Sequence, residues 1–173
     1  MSVTVVVETG SGLDPTANSY ISVADADAYI SANIIVNPVW AALSPDDQAA
    51  LVVWSTRYLD QHAFWNGSKT LATSPLRWPR TGVNDADGNP IGNNTIPLQL
   101  VQATAELARF LMIEDRTVER TTDGLIRLKV DVIELGFEAT YRLPQIPMAL
   151  RFLIEGLGFL RGGTGSFGRI RAA

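Results

Sequence analysis

A short segment with two prolines, Pro75–Arg80, constrains the fold of this chain more than any other stretch. Proline fixes its own φ and disfavours the helical conformation for the residue before it, so Trp78 is predicted to be extended. A turn-rich loop around Asp87-Gly88 follows, and Pro97 then marks the start of a long helix. The segment therefore separates two helical parts of the chain and places a tryptophan between two arginines.

Trp78 has two interpretations. With Arg77 and Arg80 on either side of it, it can stack on a nucleic-acid base while the arginines hold phosphates. Alternatively, Trp78 fills the core and the arginines pair with the acidic side chains of Asp85, Asp87 or Glu106. The second interpretation is favoured. Solvent exposure of Trp78 and Trp65 separates the two, because a stacking platform must face solvent.

Composition excludes several classes of function. The 173 residues suit a single domain with a substantial core, and the formal net charge of −4 disfavours a broad basic face for duplex DNA. Cysteine is absent and His62 is the one histidine, so thiolate and multi-histidine metal sites are not possible. The chain carries no recognisable nucleophile elbow, P-loop or acid–base pair. We therefore predict no catalytic residues, no metal and no cofactor, and an enzyme is disfavoured.

The Asp85–Asn89 segment superficially suggests a calcium loop. When Gly88 is aligned with the required glycine of such a loop, Val83 and Asn94 occupy the first and last ligand positions. Valine cannot ligate calcium and asparagine cannot replace the bidentate glutamate. A turn built on Asp87-Gly88 is the better prediction.

Apolar spacing and capping residues predict three main helices. Ser22 caps the first, with Asp25 in its first turn; Ser44 caps the second, which runs to about Phe64. The third runs from Pro97 to about Arg116 and should be the central core helix. On the second helix, an aromatic and aliphatic stripe is predicted to be core and not a base-stacking surface: Leu51, Trp54, Tyr58 and His62.

The two ends of the chain and the region after Thr121 have a different character. Val3–Glu8 is β-branched and reads as a strand whose partner lies in the same chain or in a neighbouring copy. Gly124–Tyr141 alternates and predicts a β-hairpin, and Met148–Leu160 reads as a short apolar helix. Arg161–Ala173 is rich in glycine, has three arginines and no acidic residue, and is either a simple tail or a docking peptide.

The predicted fold class is mainly α: a small helical bundle with a projecting β-hairpin, a short N-terminal strand and an extended C-terminal tail. Residues 1–160 form one helical domain, with the hairpin at about 124–141, and residues 161–173 form a flexible tail.

From Ala17 to Leu111 the sequence resembles a bacteriophage family often labelled DnaT-like single-stranded DNA-binding, whose members we associate with head–tail connectors (adaptors) of tailed phages. The ordered motifs that carry the resemblance cover a little over half of the chain: Asn18-Ser19-Tyr20-Ile21-Ser22, Ala24-Asp25-Ala26, Trp40, Leu43-Ser44, Arg57-Tyr58-Leu59-Asp60, Trp65-Asn66-Gly67, Leu76-Arg77-Trp78-Pro79-Arg80-Thr81-Gly82-Val83, Asp87-Gly88 and Ile96-Pro97.

The resemblance implies a structural protein of the virion neck, made in the host cytoplasm, that forms a ring of about twelve copies beneath the portal protein. Such a ring also contacts a downstream stopper or tail terminator, lets duplex DNA pass without specific binding, and contacts no membrane. The expected structural motif is Trp65, Trp78, Pro79, Arg80, Gly82, Asp87, Gly88 and Pro97. The expected portal-binding residues are Phe159, Arg161, Phe167, Arg169, Ile170 and Arg171.

Two further expectations follow from the resemblance. Val3–Glu8 or the Gly124–Tyr141 hairpin is expected to pair with a neighbouring subunit. The alternative function is the one in the family label, single-stranded DNA binding, with Trp78, Trp65, Arg77 and Arg80 as the stacking and phosphate-binding patch.

Overall fold

Two helices that pack against each other form the centre of the protein, α3 (Pro45–His62) and α4 (Leu98–Leu111). The computed structural model describes residues 3–115 and 146–160, and the backbone alone of 127–130 and 133–136. Leu59 from α3 and Leu100 and Leu107 from α4 are completely buried between the helices. Burial of each such side chain stabilises the fold by roughly 1.5–3 kcal/mol.

The helices begin where their capping residues predict. The Ser22 side chain accepts a hydrogen bond of 3.0 Å from the Asp25 backbone N–H at the start of α1 (Val23–Ser31). Ser44 does the same for Asp47 at 3.2 Å, and Pro45 is the first residue of α3. These caps satisfy N–H groups that have no partner inside the helix. The predicted caps of both helices are confirmed.

Shorter elements surround this centre. The remaining helices are α2 (Asn37–Ala41) and α5 (Ala149–Leu153). The strands form three two-stranded antiparallel sheets in the described residues: β1 (Ala63–Trp65) with β6 (Gly158–Leu160), β2 (Ser68–Lys69) with β3 (Arg80–Thr81), and β4 (Arg127–Val130) with β5 (Ile133–Gly136). The last pair lies inside the predicted hairpin span.

The prediction of a mainly α helical bundle is wrong, because the fold is mixed. Of the described helices, only α3 and α4 are long and pack along each other, whereas α2 and α5 have five residues each. The rest of the core is covered by the small sheets and by irregular loops, including the Pro75–Arg80 segment, where the Trp78–Pro79 peptide bond is cis. Prolines and turn residues prevent a continuous helix over this part of the chain.

The predicted helix over Met148–Leu160 is also wrong in its second half. Helix α5 ends at Leu153, Gly156 adopts φ of +81°, and the chain then pairs as β6. A side chain at Gly156 would have its Cβ 2.6 Å from the Ala86 backbone nitrogen. The glycine therefore permits both the left-handed turn and the close approach of the Asp85-Ala86 loop.

Among the described residues, the N-terminal segment is paired along one edge. Val7 forms a single parallel bridge with Ser19, so the partner is in the same chain on this side. The buried Glu8 carboxylate then accepts hydrogen bonds from the backbone N–H groups of Gly10 (2.8 Å) and Gly12 (2.9 Å) through Oε1. These two hydrogen bonds hold the glycine-rich turn at Gly10–Gly12 against Glu8.

Among the described helices, none has the length and apolar character needed to cross a bilayer. The predicted tail, 161–173, lies outside the described residues.

Candidate functional site

Trp78 lies in the core. Its side chain is 0% exposed and packs edge-to-face against Trp65, with 6.0 Å between the ring centroids. Trp65 is itself half-buried and packs on the same core cluster. A base cannot stack on a ring that is completely covered, so the interpretation of Trp78 as part of a DNA-binding patch is wrong. The favoured interpretation, that Trp78 fills the core, is confirmed.

Arg80 is a structural arginine whose partners differ from those expected. Its guanidinium donates three hydrogen bonds to backbone carbonyls: Nε to Asn66 (2.6 Å), Nη2 to Gly67 (2.6 Å) and Nη1 to Arg77 (3.1 Å). The Arg80 side chain is buried, whereas Arg77 is exposed. Arg80 therefore holds the turn after β1 against the Pro75–Arg80 segment, and three of its five N–H donors are used in doing so.

A half-buried carboxylate, that of Asp60, joins four parts of the chain. It accepts hydrogen bonds from the Tyr20 hydroxyl (2.8 Å), the Trp65 indole N–H (3.2 Å) and the Arg77 backbone N–H (3.0 Å). The Tyr20 oxygen in turn accepts from the backbone N–H groups of Arg77 and Trp78, each at 3.1 Å. This network ties the proline-containing segment to α3 and to the start of α1.

Burial raises the pKa of Asp60 from 3.8 to about 6, although its hydrogen-bond donors and the Arg77 charge lower it. Burial and the neighbouring Asp60 charge raise the pKa of Tyr20 well above its ordinary value. Removal from water disfavours the charged form of each group, and the carboxylate and phenolate disfavour each other. Tyr20 thus remains a hydrogen-bond donor to Asp60 throughout the physiological pH range.

We predict that Asp60 makes stability depend on pH. Folded Asp60 keeps its proton up to a pH of about 6, whereas the unfolded chain releases it near 3.8, so folding takes up a proton between these values. Its stabilising contribution is full below 3.8 and is lost as pH rises through about 6. Urea unfolding gives the free energy of unfolding of the wild type and of Asp60→Asn. The wild-type value minus the Asp60→Asn value should fall by about 2 kcal/mol from about pH 4.5 to about pH 7.5. A pH-independent difference between the two proteins would contradict this prediction.

The most exposed aromatic pair lies on the β1–β6 ribbon. Phe64 and Phe159 are directly opposite each other across the two strands, and their rings stack with centroids 5.1 Å apart. They are 43% and 60% exposed. Because side chains alternate between the two faces of a strand, Trp65 points to the opposite face and anchors the ribbon to Trp78 and Asp60.

In the sequence, a basic segment follows directly after the strand that carries Phe159. Strand β6 ends at Leu160, and Arg161–Ala173 follows with three arginines and no acid. With a net charge of −4 for the whole chain, the rest of the chain is more acidic still. The ribbon can therefore offer two adjacent aromatic faces next to the most basic segment, an arrangement suited to stacking on bases or packing against an apolar peptide.

The comparison with known families covers nearly the whole chain. The sequence model of a family described as "Putative DnaT-like ssDNA binding protein" matches residues 3–172. The chain belongs to this family. Neither the curated proteins nor the solved structures contain a match.

The remaining motif residues of this DnaT-like chain serve local structure. Gly82 and Gly88 adopt φ of +72° and +88° in turns, and Pro97 precedes α4. The Asp85 carboxylate accepts from the backbone N–H groups of Asp87 (3.0 Å) and Asn89 (2.8 Å), which explains the loop as a turn. Within the described residues, no cluster of side chains suited to a metal ion is present. Of the residues expected to bind the portal, Phe159 is exposed on β6 and the others lie outside the described residues: Arg161, Phe167, Arg169, Ile170 and Arg171.

Sequence reasoning missed the Phe64–Phe159 pair and the Asp60 network. The second helix is predicted to run to about Phe64, whereas α3 ends at His62 and β1 begins at Ala63. The alternation of Ala63, Phe64 and Trp65 before Asn66-Gly67 is the signal that indicates a short strand and turn. Its partner β6 lies far along the chain, so no local pattern identifies the pairing.

Proposed function

We propose that this DnaT-like protein binds single-stranded DNA on the β1–β6 ribbon. The observation that carries the proposal is the exposed, stacked pair of Phe64 and Phe159, which leads directly into the arginine-containing tail. Family membership supports it, because the family description names single-stranded DNA. The site differs from the Trp78 and Arg80 patch suggested by the sequence, since those side chains are committed to the core.

The chemistry of this surface fits a strand of any sequence. Phenylalanine rings have no hydrogen-bonding groups with which to read a base edge, so stacking on Phe64 and Phe159 is sequence-tolerant. Stacking of one base on an aromatic side chain contributes about 1–3 kcal/mol. The arginines of the tail supply the phosphate contacts that an otherwise acidic protein lacks. Duplex DNA, whose bases are stacked inside the helix, cannot use the phenylalanine pair.

Fluorescence anisotropy with a labelled oligothymidine tests the site. Phe64→Ala/Phe159→Ala should weaken binding at least about tenfold, given the stacking contribution of each ring. Phe152→Ala is the matched control, because Phe152 is an equally apolar ring, 79% exposed, outside the stacked pair; its affinity should equal that of the wild type. Deletion of residues 161–173 removes three arginines and should reduce the slope of log affinity against log salt concentration by about 2.

Two results would overturn the proposal: no binding of oligothymidine by the wild type, or binding that the double substitution leaves unchanged. Binding to duplex DNA as strong as to oligothymidine would show that the phenylalanine pair is not used.

As a second candidate, we propose a structural role as a head–tail connector of a tailed phage. The observation that favours it is an exposed apolar surface at the α1–α2 junction, where Ile34 and Ile35 are 86% and 82% exposed and Val39 is also exposed. Adjacent exposed apolar side chains are typical of surfaces that become buried on assembly. In this role the protein would form a ring under the portal in the virion neck, and Phe159 with the tail would contact the portal.

Co-sedimentation with portal rings separates the two functions. A connector should sediment with the rings, and deletion of residues 161–173 should release it, with oligothymidine having no effect. A DNA-binding protein should stay in the supernatant. Sedimentation that survives tail deletion would remove the proposed portal-binding role of the tail.

A further inference from the structure

The N-terminal segment has one backbone edge without a partner among the described residues. Backbone N–H groups of Val6 and Glu8 donate to Asn18 Oδ1 and to the Ser19 carbonyl, both on one side of the segment. On that side the Asn18 side chain also donates to the Thr4 carbonyl, at 2.8 Å. Successive residues of an extended chain direct their N–H and C=O groups to opposite edges.

Val5 and Val7 therefore direct their backbone N–H and C=O groups to the other edge of the segment. Within the described residues, their backbone N–H and C=O groups make no hydrogen bond. The two valines are half-buried. The edge is β-branched, apolar and carries no charged residue between Val3 and Val7. Such an edge is a template for another strand.

A second incomplete sheet is present in the same chain. Strands β4 and β5 pair in register from Arg127 opposite Gly136 to Val130 opposite Ile133, and no third strand joins them in the part of the chain that the structure describes. A two-stranded hairpin is marginally stable alone in water, and a third strand is the usual remedy. The sequence of β4 alternates charged and apolar residues, a pattern typical of a strand with one covered face.

We propose that the β4–β5 hairpin of one copy adds to the Val3–Val7 edge of a second copy. Within the described residues, both strand edges are formed and have no further strand partner, so each can be completed by another molecule. The contact joins two different surfaces, and repetition of such a heterologous contact leads to a closed ring or an open chain. This inference does not rest on the proposed DNA binding.

Proline at Val7 tests the edge itself. Because the Val7 N–H has no partner among the described residues, Val7→Pro removes a donor to an added strand and leaves the bridge through Val6 and Glu8 in place. Val7→Ala is the matched control, because it keeps the N–H. Sedimentation velocity of the full chain at high concentration should show self-association for the wild type and Val7→Ala, and a monomer for Val7→Pro with an unchanged circular dichroism spectrum.

Cross-linking identifies the partner segment, and the chain has no native cysteine to interfere. Val5→Cys and Lys129→Cys chains, mixed and treated with a short bis-maleimide, should give a covalent dimer that Val7→Pro suppresses at least about fivefold. Ala72→Cys, exposed and distant in sequence from both strands, replaces Lys129→Cys as the control and should give background yield. Cross-linking confined to single chains carrying both cysteines, or equal yields with Ala72→Cys, would overturn the proposal.

Discussion

Replacement of Trp78 by alanine is expected to lower the free energy of unfolding by about 3–5 kcal/mol. The ring is completely buried in the larger core cluster and packs edge-to-face on Trp65. Its removal leaves a cavity that the rigid proline-containing segment cannot collapse to fill, and a domain of this size has only about 5–15 kcal/mol of total stability. A large part of the Trp78→Ala protein should therefore unfold on mild heating.

Urea unfolding followed by circular dichroism measures this loss, with Phe152→Ala as the control. Phe152 is a large aromatic side chain on α5 that is 79% exposed, so its truncation should change stability by no more than about 0.5 kcal/mol. A Trp78→Ala protein as stable as the control would mean that the ring faces solvent, and the DNA-stacking interpretation of Trp78 would then be restored.

The parts of the fold that sequence predicts are those set by neighbouring residues. Ser22 and Ser44 satisfy N–H groups three residues away, so the starts of α1 and α3 follow from local chemistry. The burial of Trp78 is also the favoured prediction, because tryptophan side chains are highly buried on average. The turn at Asp85–Asn89 depends on one carboxylate and the next few backbone N–H groups.

The parts that sequence did not predict depend on distant partners. Strand β6 exists because it pairs with β1, nearly a hundred positions earlier, whereas its local sequence resembles a helix end. Asp60 was recognised only as part of a motif; its role requires Tyr20, Trp65 and Arg77 to converge on it. The phenylalanine surface follows from the same long-range pairing. The sequence therefore places Phe159 only among the expected portal-binding residues and omits Phe64 from every candidate site.

Substitution of Arg80 by alanine is expected to cost about 2–4 kcal/mol of stability, because hydrogen bonds from a charged donor contribute more than neutral ones. The three carbonyls that Arg80 holds belong to Asn66, Gly67 and Arg77, and no other described donor replaces it. Lysine should recover only a minor part of the loss, since a single ammonium group cannot reproduce the planar fork that reaches all three carbonyls.

Arg77→Ala is the matched control for this substitution, three positions away and with an exposed side chain. It removes the same formal charge and keeps the backbone N–H that binds Asp60, so urea unfolding should show a loss of no more than about 0.5 kcal/mol. If the two alanine variants were equally stable, the turn at Asn66-Gly67 would not need the hydrogen bonds from Arg80, and the Arg80 side chain would be available to bind phosphate. A large difference fixes Arg80 as the residue that holds this turn, and so positions the ribbon that carries Phe64 and Phe159.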